Sequence, residues 1–118
     1  MGSMREAYEK IGADYNGASV RLMGEEMLAR FALKFLDDES MDKLEAAMAA
    51  GDAEGAFMAA YTLKGVSQNL GFDNLYEPAV VVTEALRGAD AVDGAREGMH
   101  ALQQQYAATM SALRETAE

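Results

Sequence analysis

The rhythm of the apolar residues constrains this chain more than any other feature. They return every three or four positions, and each such segment stops at a Gly or a short Asp/Asn/Gly cluster. That spacing lines one face of a helix, whereas a half-buried strand would alternate every second residue. Ala, Glu, Leu and Met fill the segments and there is a single Pro, so intrinsic propensity agrees with the pattern. An all-α chain is predicted, with breaks at Gly12 to Gly17, Gly24, Asp37 to Ser40, Gly51-Asp52, Gly71 to Asn74 and Gly88 to Asp93.

Between the breaks, the inward stripes can be named. Met27, Leu28, Phe31 and Phe35 form one, and Leu44, Ala47 and Met48 continue it past Asp37-Asp38-Glu39, which reads as a solvated turn. Asp52 is placed to cap a helix whose narrow apolar face is Ala56, Ala59, Leu63, Val66, Ser67 and Leu70. Asn74 and Glu77 resemble a capping pair for a helix carrying Leu75, Ala79, Val82 and Leu86, with Pro78 late in its first turn. Ala95, Met99, Leu102, Tyr106, Met110 and Leu113 mark the longest helix. The cheapest way to bury these stripes is an up-and-down antiparallel four-helix bundle with one or two short N-terminal helices, its nine Met residues serving as adaptable core filler. A length of 118 residues suits one domain, expected over residues 4–118, with residues 1–3 read as a cloning scar.

Charge and composition exclude several function classes. Ten Lys and Arg against twenty Asp and Glu leave a net −10, which repels phosphate backbones and anionic lipid, so no nucleic acid is expected as a partner. With no Cys and one His, neither a disulfide, a metal site nor a bound cofactor is expected. No apolar run approaches the roughly 18 residues of a membrane span, and Met1 to Lys10 does not read as a secretory signal. A cytoplasmic monomer, kept apart by its own charge, is the expectation.

Drawn as a wheel at about 100° per residue, the segment from Glu54 to Leu70 sets Tyr61 opposite Leu63 and Leu70, so Tyr61 points outward. On the same face lie Glu54, Phe57, Met58, Lys64, Gly65 and Gln68. Phe57 and Met58 are apolar, and Gly65 in mid-helix costs about 1 kcal/mol against Ala. Close approach by another molecule accounts for all three. Each also has a plainer explanation: Tyr61 a leftover surface residue, Lys64 a solvated partner of Glu54 or Glu77, Gly65 a contact between helices. Their coincidence at fixed spacing favours a binding face.

The stretch Tyr61-Thr62-Leu63-Lys64-Gly65-Val66-Ser67-Gln68-Asn69-Leu70-Gly71 resembles the signature of histidine-containing phosphotransfer (HPt) domains, in which His-x-Leu-Lys-Gly is followed by a small pair, two variable residues and Leu-Gly. The resemblance extends upstream from the motif to Leu44 and downstream to Arg87. It implies a helical bundle that takes a phosphoryl group on an exposed His from the aspartyl phosphate of one receiver domain and passes it to another. The implied partner is a receiver domain of a response regulator or hybrid sensor kinase. By the same resemblance Lys64 would balance phosphate charge, Gly65 would admit the receiver's loops, Phe57 and Met58 would form a docking patch, and Gln68 would hydrogen-bond a phosphate or partner backbone.

This chain departs from the pattern at the acceptor itself, which is Tyr61. Imidazole forms a labile phosphoramidate that can be both taken and given. A phenol, with a reference pKa of about 10, is neutral and weakly nucleophilic at pH 7, and its phosphate ester is too stable to return to a carboxylate. Val66 is a lesser departure and turns toward the core. The expected role is therefore a non-phosphorylatable receiver-binding module, a decoy or scaffold rather than an enzyme, with no catalytic residue. The alternatives are an active phosphotransfer protein using His100 or Tyr61 itself, and a stand-alone structural bundle. His100 keeps Leu102 but is followed by Gln103 and Gln104 where Lys and Gly belong.

Overall fold

A computed structural model describes residues 2–117. Its α-helices are α1 (Met4–Ile11), α2 (Tyr15–Arg21), α3 (Glu25–Lys34), α4 (Ser40–Ala50), α5 (Ala53–Asn69), α6 (Asp73–Leu86) and α7 (Arg96–Ala117). Single 3-10 turns at Phe35–Asp37 and Asp93–Ala95 lead out of α3 and into α7. No strand forms among the described residues. Each predicted break falls between helices, but several are shorter than expected: Tyr15 to Gly17 already belong to α2, Ser40 to α4, and Asp73 and Asn74 to α6, and the Gly17 amide donates to the capping Asp14 carboxylate at 3.0 Å.

Helices α4 to α7 form the bundle. Two short turns reverse the chain, at Gly51-Asp52 between α4 and α5 and at Leu70 to Phe72 between α5 and α6, so sequential neighbours pack side by side. Gln103 of α7 donates to Glu45 of α4 at 3.0 Å, which closes the ring of helices. Leu44, Met48, Ala56, Leu63, Leu75, Val82, Leu86, Leu102 and Leu113 fill the interior, so the predicted stripes of α4 to α7 are the core. The 22-residue α7 is the longest helix, as its periodicity predicts.

The three preceding helices are tied to one end of the bundle by aromatic rings. Tyr15, Tyr8, Phe72, Phe35 and Tyr106 follow one another at centroid separations of 5.5, 5.3, 5.3 and 6.0 Å. The buried Tyr8 hydroxyl donates to the Leu70 carbonyl at 2.6 Å, and Arg21 reaches the Asn69 and Gln68 carbonyls at 3.1 and 3.0 Å. These donors satisfy the last carbonyls of α5, which have no partner within their own helix. Gly71, at φ 73°, lies so close to α2 that a Cβ there would meet the Asp14 carbonyl at 2.6 Å. The Asp14 amide donates to the Gly71 carbonyl at 2.8 Å, so the turn after α5 is where the N-terminal helices dock.

Two local expectations give way. Asn74 does not cap α6: the N-cap is Phe72, and the Asn74 amide instead donates to Gln105 and Thr109 of α7, at 3.0 and 2.9 Å. A bridge between helices outweighs a local cap because it satisfies part-buried groups of α7. Phe31, placed inward by its spacing, is at the surface, while Ala32 beside it is buried. Helix α3 presents its Leu28, Ala32 and Phe35 edge to the bundle, and Phe31 lies off that line.

Candidate functional site

Asp52 starts α5 as expected, its carboxylate accepting the Gly55 amide at 2.9 Å. From there Ala53, Ala56, Ala59, Ala60, Leu63 and Ser67 point into the bundle. The run of alanines lets α4 and α6 pack closely against α5 and leaves one strip of the helix uncovered. Tyr61 stands on that strip, 50% exposed, with Met58 one turn back at 59%. Glu54, Gly65 and Gln68 are exposed too, and Lys64 is half-buried. Phe57 is half-buried and packs against the core with part of its ring, so it belongs to the face and to the bundle at once.

These side chains form an ordered stack. The Lys64 ammonium lies 4.7 Å from the centre of the Tyr61 ring, and that ring lies 6.0 Å from Phe57. Beyond Phe57 comes the Arg87 guanidinium, 5.1 Å from the ring centre. Cations over aromatic faces are held by the ring quadrupole, so the Tyr61 and Phe57 rings fix both charges in place. Arg87 in turn pairs with Glu84, one turn earlier, at 2.9 Å. Hydrogen bonding from Arg87 holds the Glu84 carboxyl below the usual range, and the charge of Lys64 adds to this. The same bond to Glu84 raises Arg87, with a smaller contribution from Tyr61. Neither Arg87 nor Glu84 is legible in the sequence as a site residue, because nothing in the α6 pattern tells which side of α5 its last turn will flank.

The four glycines inside α-helices differ in their surroundings. A Cβ on Gly17 or Gly55 would collide with the capping carboxylate of Asp14 or Asp52, and one on Gly98 would press on Val81 and Val82 at 3.3 Å. At Gly65 a Cβ would meet nothing within 4 Å. Packing between helices therefore does not explain the glycine. Its effect is to leave a bare patch of backbone beside Tyr61.

His100 is exposed on α7, in a groove with Glu45, Met48, Arg96 and Gln103. None of the residues lining that groove belongs to α5, the helix that carries Tyr61. Among the described residues no cluster of three or more His, Cys, Asp or Glu could hold a metal ion, and no helix is long and apolar enough to cross a membrane. Val66 is half-buried in a shallow groove with Phe31, Phe35 and Asn69, consistent with its turning inward.

Residues 26–116 match the model of the Hpt domain family, from α3 to near the end of α7. No curated protein and no solved structure gives a significant match.

Proposed function

The chain belongs to the Hpt domain family, the phosphotransfer carriers that dock on receiver domains, and from that premise we propose that this member binds receivers without carrying phosphate. The observation that carries the reading is Tyr61. By the resemblance to the family signature it stands where the acceptor His would be, and it is half exposed, with Lys64 against its ring and the bare Gly65 backbone one turn on. The docking face consists of Phe57, Met58, Tyr61, Lys64, Gly65 and Gln68. Its apolar members supply the desolvated contact, and Lys64 supplies charge complementary to a receiver's acidic pocket.

The chemistry of the phenol separates docking from transfer. Receiver and carrier exchange a phosphoryl group when its free energy on the two is nearly matched, as for acyl phosphate and phosphoramidate. Phenol phosphate lies far below both, so transfer onto Tyr61 could not be reversed. A protein that keeps the docking surface and lacks the exchangeable acceptor competes with active carriers or holds receivers in an assembly.

The test is a titration of ¹⁵N-labelled protein with a panel of receiver domains from the same cell. Amide shifts centred on Met58, Tyr61, Lys64, Gly65 and Gln68 are the expected result. Silence with every receiver, or shifts confined to another face, would reject the reading.

A further inference from the structure

We propose that Met58 is an oxidation site that controls this face: a peroxide converts its thioether to the sulfoxide, and receiver binding weakens while the fold stays intact. The proposal rests on the receiver-docking reading and adds a means of regulating the same surface. Of the nine methionines, Met41, Met48, Met99 and Met110 are buried in the core, and Met4 and Met27 are half-buried. Among the described residues only Met23 and Met58 are freely exposed, at 88 and 59%. Met23 stands outside α5, in the turn between α2 and α3. Met58 stands one turn before Tyr61 on α5, so it shares the uncovered strip, and it also lines a shallow groove with Lys43 and Thr62. An oxidant therefore reaches its sulfur without any opening of the bundle.

The chemistry is a two-electron oxygen transfer. A sulfur lone pair attacks one oxygen of the peroxide, and the S–O bond forms as the O–O bond breaks. Hydroxide leaves and takes up the remaining proton as water, so the sulfur is oxidised by two electrons and the peroxide reduced by two. The thioether is a flexible apolar group suited to an adaptable contact, whereas the sulfoxide is polar and carries a strong acceptor oxygen. Pressing that oxygen against a partner's apolar surface strips it of water and gives it no donor in exchange. The core methionines are untouched, so the bundle keeps its packing. Two electrons from a thiol-dependent sulfoxide reductase return the side chain to its first state.

The experiment treats the whole chain with dilute hydrogen peroxide, removes the oxidant and follows each methionine by peptide mass spectrometry. The product is then titrated calorimetrically into a receiver that binds the reduced chain. Met23 and Met58 should each gain an oxygen while Met41, Met48, Met99 and Met110 stay reduced, with an unchanged far-UV circular dichroism spectrum. Binding should weaken at least about tenfold, the effect of burying an unpaired polar group in the contact. Met23→Leu should keep that loss, and Met58→Leu, whatever its starting affinity, should not respond to peroxide. Oxidation of the core methionines as fast as Met58 overturns the proposal. So does undiminished binding by the chain oxidised at Met58, or a peroxide response that persists in Met58→Leu, and each of these leaves docking standing. Absence of binding by the reduced chain across the receiver panel defeats the docking reading, and this control with it.

Discussion

At the scale of single residues, the proposed function rests most on Tyr61 and Gly65. Tyr61→His restores an imidazole between Lys64 and Phe57 on a face that is otherwise unchanged. The variant is expected to acquire acid-labile label from a phosphorylated receiver, where the parent acquires none; phosphoimidazole detected by ³¹P NMR would check it. Gly65→Ala separates fold from function in one substitution. A methyl there meets nothing within the molecule, and Ala in a helix interior is better than Gly by about 0.5–1 kcal/mol. The variant should unfold at higher denaturant and yet bind receivers several-fold more weakly. Unchanged binding would remove Gly65 from the docking face. Tyr61, Lys64 and Gly65 were legible in the sequence because they share one helix, where three- and four-residue spacing determines who faces whom. Arg87 was not, because it reaches Phe57 across the packing of two helices.

The helices explain why the face is held still. Asp52 closes the N-terminal end of α5, while Tyr8 and Arg21 hold its last carbonyls at 2.6 to 3.1 Å. Tyr8→Phe deletes one buried hydrogen bond and leaves the Leu70 carbonyl short of a partner, a loss of about 1–3 kcal/mol in chemical denaturation. Burial also pushes the Tyr8 hydroxyl far above its ordinary range. An acid whose pKa is raised by folding stays protonated in the native state while the unfolded chain releases its proton. Stability is therefore full below the unfolded tyrosine pKa of about 10 and falls as pH rises beyond it. The parent should lose stability from about pH 10 upward, and Tyr8→Phe should flatten that fall. None of this clamp could be read from α1 or α2 alone, whose sequences state only that they are short amphipathic helices. Asn74 shows the same limit: its local pattern suits a cap, but α7 offers two partners that the pattern does not contain.

Over the whole molecule, charge and shape act together. α7, 22 residues long, spans about 33 Å of a body 42 Å in its longest dimension, so one helix supports both the bundle and the N-terminal helices at its end. A net −10 on so small a surface repels itself, and its five ion pairs among the described residues are all exposed. Salt should therefore stabilise the fold: raising ionic strength from about 0.05 to 0.5 M shortens the Debye length several-fold and should raise the melting temperature by a few degrees. The proposed receiver binding, to which Lys64 supplies charge, should weaken over the same range. A melting temperature that falls with salt would mean that the ion pairs outweigh the repulsion.

The all-helical class, the approximate positions of the breaks, the inward stripes of α4 to α7 and the outward strip around Tyr61 followed from the sequence by itself. Each of these depends on periodicity within one helix, which is a local property of the chain. The surroundings of that strip were decided only in three dimensions. Arg87 on Phe57, the open space over Gly65, the aromatic chain from Tyr15 to Tyr106 and the turn of Phe31 to the surface all depend on how helices pack against one another. Helix spacing says which residues share a face, but the neighbour that covers the face, or leaves it open, is set by the packing of the whole core.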